Sequence, residues 1–233
     1  MNVKEYFLGI NNTVGKIIKT SFESGGDAKL TDLFQFIDDL TKWESILSKT
    51  VDTTILISAT KEFELGFQAV LSGQYRYAFI AQRYFVEQMA RFIYLSTNEL
   101  HLRHWKLGMR DVSWGSLIDN ENGVFSKVFI RAFCPDVEEE GIRLTSLSSA
   151  LYRESSEFVH GNFEKVNAMP DQIEYQSEML EKWLEYMETG KLIALFLLFM
   201  RFSKDLNSAD ISEIESMAQD ELCGIDGFSY LFQ

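Results

Sequence analysis

Arg153, Ser156, Glu157 and His160 stand close together in the chain. A permanent cation, a hydroxyl, a carboxylate and an imidazole are the groups that phosphodiester chemistry asks for. RNA cleaves itself when its 2′-OH is deprotonated and attacks the adjacent phosphate. That reaction takes a proton acceptor near neutral pH, a proton donor for the leaving oxygen, and a cation for the charge growing on phosphorus. Histidine titrates near pH 6.5 and suits either proton role. Arginine stays charged and offers a planar fork to phosphate oxygens. No metal is required.

Such groups act together only on one rigid element. The run from Leu151 to Asn162 predicts a helix that stops at Gly161, because glycine takes the left-handed conformation without a Cβ penalty. Arg153 and His160 are separated by almost two turns, so both leave one face, about 10 Å apart along the axis. Leu151, Tyr152, Ser155, Phe158 and Val159 mark the opposite, more apolar side. The plainer reading pairs Arg153 with Glu157 at i,i+4 and leaves His160 in the last turn, where the helix dipole favours an imidazolium.

An Arg, a short interval and a His, late in an all-helical chain, resemble the signature of HEPN-type proteins. Glu154 follows the Arg here, where active members often carry Asn, Asp or His. The resemblance implies metal-independent endoribonuclease action at a composite site, with two Arg–His helices facing each other across one cleft. Carried onto this chain, it implies His160 as general acid and base and Arg153 as phosphate clamp, with Glu157 or Ser156 orienting one of them. It also implies a homodimer, an RNA substrate, no cofactor, and a toxin or antiviral effector held off by a partner or inhibitor. HEPN-like domains also occur without nuclease activity. The alternative is therefore a non-catalytic helical interaction or dimerisation module that binds a protein partner through its acidic surface and aromatic tail. A hydrolase using paired carboxylates finds no support in a Gly-rich phosphate loop, a GxSxG or a metal-ligand spacing.

The elements that must position the motif are helical. Of 233 residues only two are proline, hydrophobic content is 46%, and Leu, Phe, Glu and Lys abound. This composition predicts an all-α chain, a multi-helix bundle of long antiparallel helices around a HEPN-like core. Residues 1–50 read as an N-terminal helical arm or small lobe. Residues 51–233 read as the HEPN-like domain, with a loop insertion near 108–123.

Net charge is −13, which excludes a general nucleic-acid binder, since non-specific affinity comes from clustered Lys and Arg. The charge is segregated, however. Tyr75–Arg110 holds six cations against two carboxylates, whereas Pro135–Gly190 holds thirteen acidic residues against four basic ones. Arg83, Arg103, His104 and Lys106 are the candidate RNA contacts within the basic segment. Arg83, Glu87 and Arg91 are spaced by four on a predicted helix over 75–97 and read foremost as i,i+4 salt bridges. A second reading puts Arg83 and Glu87 inside the bundle, holding the motif helix. His101 and His104 lack the further ligands a metal site needs. Trp105 and Trp114 read as core anchors.

Cys134 and Cys223 match no zinc or CxxC spacing and read as thiols in a reducing cytosol. The longest apolar run, Leu192–Met200, is too short to span a membrane, which takes about 20 residues. With no signal-type apolar run near the N-terminus, a soluble, cytoplasmic protein is expected.

Further along the chain, periodicity predicts helices over 2–22 and from Thr31 or Asp32 through Leu47, with a turn at Ser24–Asp27 between them. A helix comes next, from Asp52 or Thr53 to Leu71 with Gly73 as its stop; a β reading of Thr53–Ile57 is the lesser one. A short helical return ends before Pro135, and Asp136 caps the next helix. Residues 164–170 read as a linker. Asp171 opens a long helix with a break near Gly190, and an acidic helix spans Asp210–Leu222. The closing Phe228, Tyr230, Leu231 and Phe232 are expected to dock.

Overall fold

A computed structural model describes residues 2–225 and 227–228. Among them there is no strand, and eleven α-helices build an all-α bundle. α1 (Val3–Ser21) starts at Asn2, whose side chain accepts the Lys4 N–H. It passes through a π-helical turn, Phe22–Gly26, into α2 (Asp27–Leu47). The glycine pair expected to make a turn therefore sits within helical backbone. α2 also begins before Thr31 and Asp32, so neither caps it. Asp32 instead accepts Lys191 Nζ with both oxygens at 2.9 Å.

α3 (Thr54–Leu71) gains an end bond from Asp52, whose Oδ1 accepts the Thr54 N–H, and the β reading of its start falls away. Gly73, at φ +72°, turns the chain into α4 (Tyr75–Leu95), and a Cβ there would lie 2.7 Å from the Glu174 carbonyl oxygen. α5 (Glu99–Lys106) is capped by Asn98 and α6 (Trp114–Leu117) by Ser113. α7 (Lys127–Phe133) is capped by Ser126. Pro135 opens a 3₁₀ turn rather than leaving Asp136 to cap a helix, and α8 (Glu140–His160) then runs unbroken.

Three expectations fail after the motif. α9 (Phe163–Asn167), capped by Asn162, occupies most of the expected linker. α10 (Ser177–Phe202) starts beyond Asp171, and it runs straight through Gly190. Gly190 is no breaker because it packs against Phe85 and Leu151, where neighbours replace the side chain it lacks. α11 (Ser208–Leu222) closes the order, capped by Asn207.

Contacts fix the directions. Phe34 meets Phe67 and Phe36 meets Phe63, so α2 and α3 are antiparallel. Phe79 stacks on Phe158 while Arg83 reaches Tyr152, so α4 and α8 are antiparallel too. α10 runs parallel to α4, with Trp183 at Ala78 and Phe202 at Phe92. Its Ile193–Met200 stretch is buried on every side, as an all-round apolar run requires. Leu33, Phe36, Leu40 and Trp43 of α2 share this same core, whereas α1 adds Ile17 and leaves Val3, Tyr6 and Phe7 exposed. Phe228 docks on Phe196 and Phe199; Tyr230, Leu231 and Phe232 lie outside the described residues. Among the described residues, no helix is long and apolar enough to cross a membrane.

Candidate functional site

α8 places the motif. Leu144, Ser148, Leu151, Ser155 and Phe158 are buried and define its inner face, and Gly161 at φ +69° ends it. Arg153 and His160 fall on the opposite side and both are exposed. Neither side chain has a hydrogen-bond or ion-pair partner among the described residues. The expected Arg153–Glu157 pair does not form. Glu157 turns instead to Lys165, at 3.5 Å, and Lys165 also meets Glu154 at 3.1 Å. Ser156 donates its hydroxyl to the Tyr152 carbonyl at 2.6 Å, which leaves its oxygen able only to accept.

The face is stiffly backed. Arg83 Nη2 donates to the Tyr152 hydroxyl at 2.5 Å, with its guanidinium carbon 4.6 Å from the ring centre. Trp114 stacks on the same Tyr152 ring, 4.2 Å away and 5° from parallel. Arg76 Nε donates to the Phe158 carbonyl at 3.2 Å, answering one of the acceptors that a helix C-terminus leaves open. Glu87 does not pair with Arg83. It pairs with Arg91 at 2.5 Å, in a largely buried contact that Gln88 shares. So one of the two expected salt bridges exists, and Arg83 holds the motif helix instead.

A flank of charges lies between α8, α9 and α10. Glu154 accepts from Lys165 and, at 3.4 Å, from the Tyr186 hydroxyl. The Lys165 hydrogen bond holds the Glu154 carboxyl below its ordinary value. Burial, and then the nearby Lys165 charge, push Lys182 below the usual lysine range. Burial, and then Glu154, raise the Tyr186 phenol. Because Glu154 titrates lower in the folded chain, its contribution to stability is complete above the ordinary carboxyl pKa of about 4.3 and disappears as pH falls through the folded value. Lys165→Met is expected to cost less than about 1 kcal/mol at pH 7, as for other half-exposed pairs. The difference from wild type should close as pH falls below 4 in a series of thermal melts. A gap that persists in acid would mean that the lysine acts through packing.

The other RNA candidates do not gather here. Arg103 pairs with Glu99 at 2.6 Å and Lys106 with Asp52, both beside a surface groove of about 740 Å³ between the start of α3 and α5. His104 lies on the same short helix. This groove is at the far end of α4 from Arg76 and the α8 C-terminus, about 30 Å away at 1.5 Å per residue. Within one chain only Arg83 of that set adjoins the motif, through Tyr152. His101 meets Arg110, with 2.8 Å between Nε2 and Nη1.

Arg76, Trp114, Lys165, Lys182 and Tyr186 adjoin the motif without having been singled out for it. Only Lys165 lay within reach of sequence reasoning. Asn162 is a good N-cap residue just past the Gly161 stop, and it marks the short helix that brings Lys165 back onto α8. No family model, no curated protein and no solved structure matches the chain.

Proposed function

We propose that the chain is a metal-independent endoribonuclease of HEPN type, with a composite site formed when two copies face each other. The observation that carries this reading is the outward pair Arg153 and His160, without a partner among the described residues, on one face of a helix that Arg83, Trp114 and Arg76 hold firmly. A cation and an imidazole exposed on one face are available to a substrate. One imidazole takes the proton from the 2′-OH, whose oxygen bonds to phosphorus. The bond from phosphorus to the 5′ oxygen breaks, and the second copy's imidazole protonates that oxygen. Products are a 2′,3′-cyclic phosphate and a 5′-hydroxyl. The Arg153 guanidinium grips the phosphate oxygens as negative charge builds. A role as a toxin or antiviral effector restrained by a partner belongs to the same proposal.

The test is cleavage of total cellular RNA with EDTA present. Wild type is expected to cut, and His160→Ala to lose about 100-fold or more, the usual scale for a general acid or base. Arg153→Ala is expected to fall comparably. Equal cutting by wild type and His160→Ala refutes the assignment.

A second reading, a non-catalytic helical interaction module, is favoured by the exposed apolar stripe of Val3, Tyr6 and Phe7 on α1. It predicts no cleavage by any variant and capture of a protein that Phe7→Glu releases.

A further inference from the structure

We propose that α1 is an exchange arm: its apolar stripe lies in the groove between α3 and α4 of a second copy of this chain, and each copy gives its arm to the other. The contact uses α1, α3 and α4 and leaves the outer face of α8 uncovered, so it stands whether or not the chain cuts RNA.

The arm leaves the bundle at one end. Helical backbone runs from Val3 to Leu47 without a break. α2 is antiparallel to α3, so it starts at the Gly73 end, and α1 leads into it from there. Ile17 marks the base of the arm, with its Cδ1 3.3 Å from a Cβ built on Gly73. From Val3 to Lys16 no residue is buried. Yet Val3, Phe7, Ile10 and Val14 follow at intervals of four, three and four, which sets them in one row on the helix. A helix as short as this is marginal in water until its apolar face is covered.

The groove offers that cover. It holds about 400 Å³, with Glu62, Leu65 and Ala69 on one wall and Gln74, Tyr77 and Ile80 on the other. Leu65 is 55% exposed and Tyr77 64%. The lengths agree. From Glu62 to the turn at Gly73 is eleven residues, and from Val3 to Val14 is also eleven, about 16 Å of helix in each case. A twofold axis beside Gly73 sends each arm along the other copy's groove, tip furthest in. Val14 then lies by Gln74 and Tyr77, and Lys4 reaches Glu62.

Charge favours the same occupant. α1 holds three lysines against one glutamate, a balance of +2 in a chain of −13. Two negative bodies repel, and α1 is a helix of the opposite sign. Glu62 is the one acidic side chain on the groove walls, and burial raises its carboxyl above the ordinary value. An ammonium beside it relieves that burial. Reciprocal exchange also counts the contact twice, towards the about 1,200–2,000 Å² that lasting interfaces bury.

Sedimentation equilibrium of the full chain is the test, and wild type is expected to be a dimer at micromolar concentration. Phe7→Glu and Tyr77→Glu change exposed positions, and each should raise the dissociation constant at least about 30-fold, the scale of an interface hot spot. Mixing the two variants should restore part of the dimer, because the intact arm of one still fits the intact groove of the other. Lys4→Cys with Glu62→Cys, in a chain whose exposed Cys223 is replaced by Ser, should on oxidation give a disulfide between chains. A monomeric wild type overturns the exchange and leaves the stripe to a different protein. A dimer that Tyr77→Glu leaves intact overturns it in favour of arm against arm, or of another face if Phe7→Glu is also without effect. A disulfide formed within one chain overturns it by placing the arm in its own groove.

Discussion

Trp183→Ala lowers the stability of the fold by about 3–5 kcal/mol, the usual cost of emptying a large aromatic site in a core. The indole has no exposed surface and sits where α3, α4 and α10 converge. A Cβ on Gly66 would lie 3.4 Å from its ring, and Phe67 meets it edge-on at 6.0 Å. Its Nε1–H donates to the Ala78 carbonyl at 3.2 Å. Backbone is close on two sides, so the hole does not collapse easily. At roughly 2–4 °C per kcal/mol for a chain of this size, the melting temperature should fall by about 10 °C. Trp183→Phe keeps most of the contact and is expected to lose less than half as much. A melt of Trp183→Ala within about 1 kcal/mol of wild type would show that the three helices do not close on this residue.

The second large effect is asymmetric. Lys191 on α10 is buried, with Nζ 2.9 Å from Asp32 on α2 and 2.7 Å from Glu221 on α11. Its side chain is 6% exposed, against 52% for Asp32 and 25% for Glu221. Removing the two anions strands a buried ammonium. Asp32→Asn with Glu221→Gln should therefore cost about 3–5 kcal/mol. Removing the cation strands only carboxylates that keep their water, and Lys191→Met should stay within about 1 kcal/mol of wild type. Burial works against the lysine charge, yet the hydrogen bonds to Glu221 and Asp32 outweigh it and raise the Lys191 pKa. With the folded value above the unfolded one near 10.4, the stabilisation is complete below that pH and is lost as pH rises through the folded value. Urea titrations at pH 7 and pH 11 check both parts. If Lys191→Met is the more damaging change at pH 7, water reaches the ammonium and the argument fails.

Local rules made much of the helical order legible. Gly73 and Gly161 stop α3 and α8 as expected, because a left-handed stop is decided by the residue itself. The all-round apolar run around Leu195 reads as buried and is buried. The features that local rules missed were set by distant neighbours. The glycines at 25 and 26 read as a turn, but a π-helical segment absorbs them. Gly190 reads as a break, but Phe85 and Leu151 support the helix there. The outward direction of Arg153 and His160 was legible from their seven-residue spacing. The loss of Glu157 to Lys165 was not, since it depends on the chain folding back through α9. Arg83 was read with its helical neighbour Glu87, whereas Tyr152, 69 residues on, is the partner it takes.

The position of α10 governs how the chain can assemble. Trp183 bonds a carbonyl 105 residues earlier, and Lys191 bonds an aspartate 159 residues earlier. The α3–α4 hairpin closes over a short loop and can form as soon as both helices exist. Closing α10 into its slot fixes a very long stretch of intervening chain, and that entropy is lost before its contacts are gained. As synthesis proceeds, α2, α3, α4 and α8 leave the ribosome with their inner faces uncovered until α10 emerges behind them. The order in which the helices are made thus leaves the one that carries the buried Ile193–Met200 run to close a core whose other walls have already waited in water.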